Sequence, residues 1–203
     1  MCGRYFISAE EDILEMRRII SEINRRYYET PMQASIKTGE VFPTDYAPVL
    51  VQGANAPRAG LMRWGFPKRK GSGVIINARS ETAREKGMFS IPLLRQRCVV
   101  PTTGFFEWRH EGGKIKKKYL FRLPGTKMLY LAGLYSACSL PGKAPYQGYI
   151  VLTAAANGSI AEYHDRMPLI LQQDQLKPWL TDTPFALDFV HTPCTAMLQA
   201  DKH

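Results

Sequence analysis

From Val41 onward the chain is built of short apolar runs broken by glycine and proline, a texture that points to strands. Val49-Leu50-Val51, Val74-Ile75-Ile76, Cys98-Val99-Val100, Met128-Leu129-Tyr130-Leu131 and Tyr149-Ile150-Val151-Leu152 all read this way. Phe105 to Leu123 reads as a hairpin, with Glu111-Gly112-Gly113 as its turn and Tyr119, Phe121 and Leu123 alternating onto one face. Before Val41 the period changes. Ser8 and Glu11 form a capping box, and Ile13, Met16, Ile20, Ile23 and Tyr27 then recur at three- and four-residue steps. This predicts an amphipathic helix ending before Pro31, with Glu10, Glu11, Arg17, Arg18, Arg25 and Arg26 on its wet side. A second helix is expected after Ser159, and a short one after Leu171 that Pro178 must cap or bend. Without a repeat, low-complexity tract or linker, the expectation is one α+β domain over residues 1–203, with mainly antiparallel strands.

The 203 residues, 45% of them hydrophobic, suffice for a sizeable core. No apolar run approaches the roughly 20 residues of a membrane span, and no charged-then-apolar leader opens the chain. The expectation is a soluble cytoplasmic protein. Cys98, Cys138 and Cys194 lie far apart, with no Cys-x-x-Cys and no histidine at zinc spacing, so they read as reduced thiols and no metal is expected. The formal charge of +9 favours a polyanionic partner without identifying one.

The opening Met1-Cys2-Gly3-Arg4 adds chemistry. A small side chain after the initiator permits removal of Met1, which leaves Cys2 with a free α-amine beside its thiol. With reference pKa values of about 7.7–8.0 and about 8.5, both groups are partly nucleophilic near neutrality. An amine and a thiol on adjacent carbons trap an aldehyde twice: the amine condenses to a Schiff base, then sulfur closes a five-membered thiazolidine. While Met1 is attached the nitrogen is an amide and this chemistry is blocked.

Three further segments join turn residues to reactive groups. Ile76-Asn77-Ala78-Arg79-Ser80-Glu81-Thr82 follows an apolar strand directly, which sets Asn77 and Arg79 at its mouth. Gly104-Phe105-Phe106-Glu107-Trp108 places a carboxylate among aromatic residues, where lost hydration raises a carboxyl pKa and suits proton transfer near pH 7. His164-Asp165-Arg166-Met167-Pro168 sets a mid-pH titrating group beside an acid and a guanidinium. Each has a plainer reading. Glu107 could pair with Arg109, Asn77 could close a turn, His164 could cap the preceding helix, and Arg79 and Arg166 could form surface ion pairs. Lys114, Lys116, Lys117 and Lys118 are either an electrostatic track or a solvated hairpin edge.

Taken in order, Cys2, Asn77-Ala78-Arg79-Ser80-Glu81-Thr82, Gly104-Phe105-Phe106-Glu107-Trp108 and His164-Asp165-Arg166-Met167-Pro168 strongly resemble the SRAP family. Its name derives from "SOS-response-associated peptidase", and its members shield abasic sites on single-stranded DNA. The similarity extends from Cys2 to about Leu180, with Arg63-Trp64-Gly65 and Thr153-Ala154-Ala155-Ala156-Asn157 as further matches. The resemblance implies a curved, barrel-like, mainly antiparallel β core with peripheral helices. It implies Cys2 as nucleophile, Asn77, Glu107 and His164 as its catalytic partners, and Arg4, Arg79 and Arg166 on DNA phosphates, while Trp64 and Phe66 offer surfaces to neighbouring bases. The implied product is a thiazolidine crosslink to the C1′ aldehyde of an abasic site, formed without cofactor or metal by a monomer, in the cytoplasm and at the nucleoid in a bacterium. Two other functions stay open: a self-processing N-terminal cysteine peptidase, and a non-catalytic single-stranded-DNA-binding module. Two segments depart from the family pattern. Glu40-Val41-Phe42-Pro43 stands where Asn-x-Ala-Pro is usual, and the loop Phe66-Pro67-Lys68-Arg69-Lys70-Gly71 is cationic where the family is often longer and tryptophan-rich. The second departure shifts expected affinity from base stacking toward phosphates.

Overall fold

The computed structural model describes residues 2–112, 116–142 and 144–203. Met1, Gly113 of the hairpin turn and Lys114 of the lysine run lie outside the described residues. The first strand, β1 (Arg4–Ile7), buries Tyr5 and Ile7. Helix α1 (Leu14–Arg26) follows, starting later than the Ser8–Glu11 box predicts. The box does not form: the Ser8 N–H donates to Thr103 Oγ1 at 3.0 Å, and the Ser8 hydroxyl accepts the Glu10 N–H at 3.3 Å. Ser8 is thereby tied to the sheet, and Met16, Ile19 and Ile23 form the buried stripe, with Ile20 at its edge.

Strands β2 (Gly39–Val41), β3 (Tyr46–Val51), β4 (Arg58–Trp64), β5 (Phe66–Pro67), β6 (Val74–Ile75) and β7 (Asn77–Arg79) come next. Helix α2 (Gly87–Arg95) precedes β8 (Arg97–Thr102), β9 (Gly104–His110), β10 (Lys116–Arg122), β11 (Leu129–Cys138) and β12 (Tyr146–Ala155). The last elements are β13 (Arg166–Pro168), β14 (Ile170–Leu171), α3 (Leu176–Thr181), α4 (Thr183–Phe189) and β15 (Gln199–Lys202). Strands β1 and β15 and helices α2 and α4 carry no clear period in the sequence, and the sequence reading did not anticipate them.

Five strands close into a ring. Antiparallel pairs join β4 to β3, β3 to β8, β8 to β11 and β11 to β12, and β12 returns to β4 in parallel through Gly148↔Arg63 and Tyr149↔Trp64. Two glycines permit close approach, Gly148 at the closure itself and Gly65 against the β5–β6 hairpin that follows it. A Cβ on Gly148 would lie 2.8 Å from Cys138 Sγ, and one on Gly65, whose φ is +115°, would lie 2.7 Å from Val74 Cβ. Trp64, Tyr5 and Tyr149 fill the interior: the Trp64 and Tyr149 rings stack at 6.4 Å, and the Tyr5 and Tyr149 hydroxyls share a hydrogen bond. Burying each such ring contributes on the order of 2–3 kcal/mol. The expected curved, barrel-like α+β core is therefore found. Its pairings are antiparallel except where β12 meets β4 and β7.

A second sheet in the order β15-β10-β9-β1-β2 lies beside the ring. The expected hairpin is its β9–β10 pair, with Phe105↔Phe121 and Glu107↔Tyr119 in register. Phe6 O binds the sheet to the ring, accepting from the Thr102 hydroxyl at 2.6 Å and the Thr103 hydroxyl at 2.9 Å. Arg97 anchors the helices from below. Its buried guanidinium donates to Leu93 O and Leu94 O near the end of α2 and to Trp179 O and Leu180 O of α3, satisfying carbonyls that a helix terminus leaves open. Pro178 sits in the first turn of α3, where its missing N–H costs nothing.

The helix expected after Ser159 is instead a series of turns. Asn157 Oδ1 accepts the Ser159 N–H and hydroxyl, while the Asn157 amide donates to Cys194 O and Ala196 O. One helical turn closes at His164 N–H to Ile160 O, and β13 starts at Arg166, which leaves no length for a helix.

Candidate active site

Cys2 lies two residues before the start of β1 and is buried, its thiol donating to Arg4 O at 3.5 Å. The Asn77 side-chain amide donates to Cys2 O at 2.8 Å. Asn77 reaches this point from β7, which extends the edge of the ring by pairing Asn77 with Val151 of β12. Glu107 comes from the opposite side. Antiparallel pairing of β1 with β9 sets Arg4 against Phe106, so continuing that register by one residue brings Gly3 opposite Glu107. Glu107 is only 3% exposed, and its charge reaches the Cys2 thiol. Burial, reinforced by the Glu107 carboxylate, pushes the thiol far above its usual range, so it is protonated at neutral pH. Cys2, Asn77 and Glu107, far apart in sequence, are thus brought together where the ring meets the second sheet.

His164 is carried to the same region by packing. Its neighbour Tyr163 rests edge-on against Tyr119 at 4.9 Å and Phe121 at 5.0 Å, and Tyr119 is the cross-strand partner of Glu107. His164 Nδ1 accepts the Arg166 N–H at 2.9 Å and lies 2.6 Å from Asp165 Oδ1. One nitrogen cannot accept the first and donate to the second together. Accepting the Arg166 N–H leaves the ring proton on Nε2. His164 makes no hydrogen bond to Cys2 or Asn77 and does not cap a helix.

The cations divide into three kinds. Arg79 is exposed and lines a cleft of about 430 Å³ with Asn77, Lys86, Met88 and Phe89. Arg4 pairs with Glu40 at 3.5 Å and lies between the Phe42 ring at 4.5 Å and the Trp108 ring at 5.2 Å. Arg166 points inward. Only 11% of its side chain is exposed, and its fork binds both Glu81 oxygens at 2.8 Å and Thr153 O at 2.5 Å. Its guanidinium is engaged in holding the turn that follows Arg79. Arg109 pairs with Glu162 at 3.5 Å, and of the lysine run Lys117 pairs with Glu111 and Lys118 with Glu40.

Trp64 and Phe66 require a correction. Both are buried, and the Trp64 indole donates to Ile76 O at 3.1 Å, so neither offers a face to a base. Pairing with β3 and β12 turns the end of β4 into the ring, and the short β5 follows it inward. Partly accessible aromatic faces beside Arg4 are Trp108, half-buried, and Phe42, 38% exposed. The sequence reading passed over both as binding surfaces. For Trp108 the signal was strand alternation, which opposes it to the buried Glu107. For Phe42 it was the departure at Phe42-Pro43, followed by a β-branched Thr44 held at φ 79°. That turn is fixed by Asp45 Oδ2, which accepts the Phe42 N–H at 2.9 Å, and by the Thr44 N–H to Trp64 O at 2.8 Å.

The Arg166–Glu81 pair carries a stability prediction. The hydrogen bonds from Arg166 hold the Glu81 carboxyl below its ordinary range. Replacing Arg166 by Met should cost about 1–2 kcal/mol at pH 7, since charge-assisted bonds are lost while water screens a carboxylate that is 42% exposed. A depressed folded value stabilises above the unfolded pKa of about 4.3, and that contribution is lost as pH falls through the folded value. Urea unfolding of both proteins should therefore show a gap at pH 7 that narrows below pH ~4. A gap independent of pH would exclude the ion pair as its source.

Residues 1–200 match the model of the family described as SOS response associated peptidase (SRAP). The chain is 30% identical over 198 residues to "Abasic site processing protein YoaM" of Bacillus subtilis (strain 168), covering 95% of this chain and 84% of that one. It is 31% identical over 186 residues to "Abasic site processing protein YoqW" of the same organism, covering 89% and 80%. Among solved structures, a protein from Bacteroides thetaiotaomicron superposes with a TM-score of 0.77 at 22% identity, covering 99% of this chain and 91% of that one.

Proposed function

This chain belongs to the SRAP family, and from that premise we propose that it processes abasic sites in single-stranded DNA, linking itself to them through Cys2 once Met1 has been removed. The observation that carries this reading is the clamp on the terminal residue: the Asn77 amide on Cys2 O at 2.8 Å, with the buried Glu107 carboxylate acting on the same residue. Such a clamp fits chemistry at the Cys2 nitrogen and sulfur. Two relatives named as abasic site processing proteins support the choice of substrate.

In the proposed reaction the α-amine attacks the C1′ aldehyde of the ring-opened sugar, and Glu107 moves the proton from nitrogen to the departing hydroxyl. Water leaves and an imine forms, in equilibrium with its protonated iminium. The Cys2 sulfur then adds to the same carbon and its proton passes to the nitrogen, so amine, thiol and aldehyde give thiazolidine and water. Closing the ring removes the iminium that would drive β-elimination and strand cleavage. The thiol, held protonated by burial and by Glu107, favours the amine as first attacking group over a thiolate acting as in a peptidase. We place the reaction in the cytoplasm, at the nucleoid in a bacterium, carried out by a monomer of one domain. No helix among the described residues is long and apolar enough to cross a membrane.

Intact-mass analysis after incubation with an abasic oligonucleotide tests the proposal. The expected product lacks Met1 and carries one covalent oligonucleotide on Cys2; an unmodified protein under conditions where it binds the DNA would refute it. His164 is assigned to opening and closing the sugar ring, so His164→Ala should slow reaction with the cyclic sugar far more than with a simple linear aldehyde. An equal slowing on both would remove His164 from that role.

A further inference from the structure

One face of the second sheet gathers cations around a single carboxylate. Arg4 pairs across the strands with Phe106, Phe6 with Glu40, and Trp108 with Lys118, so all six side chains share that face. Glu40 is the centre of the group. Lys118 Nζ binds its Oε1, Arg4 stands 3.5 Å from its Oε2, and His203 Nε2 stands 3.8 Å from Oε1. The Glu40 side chain is three-quarters buried, and the Lys118 ammonium lies 4.0 Å from the centre of the Phe106 ring, so water screens these pairs only in part. Burial by itself would raise the Glu40 carboxyl, but Lys118, Arg4 and His203 outweigh it and hold the group below its ordinary range. Glu40 is therefore ionised at neutral pH. It also heads Glu40-Val41-Phe42-Pro43, where the chain departs from its family. Arg4 does not depend on Glu40 for its position. The Phe42 ring at 4.5 Å and the Trp108 ring at 5.2 Å already hold its guanidinium. The contact with Glu40 is longer than a good hydrogen bond, so it neutralises charge without orienting the fork.

The Cα atoms of Cys2 and Arg4 are at most about 7 Å apart, so a phosphate beside a sugar held at Cys2 falls within reach of the Arg4 side chain. There it meets an anion position that is already filled. We propose that Glu40 is a built-in competitor for nucleic-acid phosphate: its carboxylate occupies the anion position between Arg4 and Lys118, and a strand grips this flank of the site only by displacing it. The inference rests on the nucleic-acid reading above and assigns Glu40 the role of setting how tightly the strand is held before reaction. A carboxylate and a backbone phosphate carry the same charge, so the exchange breaks the Glu40 pairs as it makes new ones, and the net grip is small. Without the carboxylate, the two cations are balanced by salt ions that a strand releases on binding.

The test measures binding of the full-length protein to a single-stranded oligonucleotide over a series of salt concentrations. The oligonucleotide carries a tetrahydrofuran abasic analogue, which cannot react with Cys2. Glu40→Gln keeps the shape of the side chain and removes its charge. It should tighten binding at least about fivefold at 0.1 M salt and steepen the log–log slope by about 0.7–1.4, one or two further phosphate contacts of about 0.7 each. In an Arg4→Ala background the gain from Glu40→Gln should fall by at least half, which ties it to Arg4. Asp12→Asn removes an equal charge from an exposed pair elsewhere and frees Lys127, and it should change both quantities far less. Weaker or unchanged binding in Glu40→Gln would overturn the proposal and make Glu40 a support for Arg4. An equal gain in Asp12→Asn, or a full gain without Arg4, would overturn it in favour of net charge. Thermal unfolding checks the fold, and Glu40→Met, of similar length and uncharged, takes the place of a Gln variant that does not fold. Wild-type adduct formation on the same strand with a true abasic site reads the covalent step separately. No adduct alongside the expected gain would defeat the proposed function and leave the role of Glu40 standing, and the converse would defeat only that role.

Discussion

Cys2→Ala is expected to abolish the heat-stable adduct with abasic DNA completely, the largest effect of any single substitution in this chain. Alanine keeps the α-amine, so a Schiff base still forms, but no sulfur closes on it. The iminium then either hydrolyses or drives β-elimination, and the product should change from crosslinked strand to cleaved strand. Cys2→Ser separates the two functional groups further, because oxygen closes a less stable ring and should leave at most a labile adduct. Retaining a residue in front of Cys2 should be as damaging as Cys2→Ala, since the nitrogen is then an amide. Among the described residues the buried thiol makes one weak hydrogen bond, to Arg4 O at 3.5 Å, and its removal vacates only a small volume, so Cys2→Ala should fold, and its thermal unfolding serves as the check. Denaturing electrophoresis after heating decides the matter: a full-strength adduct in Cys2→Ala would end the covalent reading.

Glu107→Gln should slow crosslinking by roughly 10²–10⁴-fold, about 3–5 kcal/mol of barrier, with DNA affinity almost unchanged. The amide is nearly the same shape as the carboxylate but cannot shuttle protons at the carbinolamine, so the loss should appear at every pH. A second measurement separates proton transfer from simple electrostatics. Burial and the Glu107 charge both raise the Cys2 thiol, and Glu107→Gln removes the second of these causes. The pH midpoint for alkylation of Cys2 by a small reagent should therefore move down in Glu107→Gln. If Glu107 acted only by holding the thiol protonated, the variant with the more acidic thiol should crosslink at least as fast as wild type. A slower reaction from a more acidic thiol is the outcome that identifies a proton carrier.

Several features of the fold were legible along the chain because they depend on neighbours in sequence. Alternation through Tyr119 and Phe121 produced the β9–β10 hairpin, and the three- and four-residue steps from Ile13 produced α1. The boundaries were less secure. The Ser8 box failed because Thr103, far away in sequence, took the Ser8 N–H, and the turn after Ser159 stayed a turn because Asn157 is bonded to Cys194 and Ala196. Strand β1 and helix α2 were invisible for a related reason: β1 is defined by its partners β2 and β9, and α2 contains Gly87 and Pro92 yet is held by Arg97.

The same division runs through the candidate site. The sequence by itself carries the reagent that we propose, since an amine and a thiol on adjacent carbons require no fold, and it points to Asn77, Glu107 and His164 as candidate groups to work with it. It also determined a basic, strand-rich chain, because charge and side-chain alternation are properties of the polymer. Only the tertiary structure decided which of these groups face one another and which face solvent. Trp64 and Trp108 are both strand tryptophans, yet ring closure against β12 buries the first, while the second lies half-buried beside Arg4 in the other sheet. Arg79 and Arg166 are both arginines next to reactive residues, yet Glu81 turns one inward and leaves the other open. A strand has two faces and a cation many partners, and the choice between them is made by elements distant in sequence.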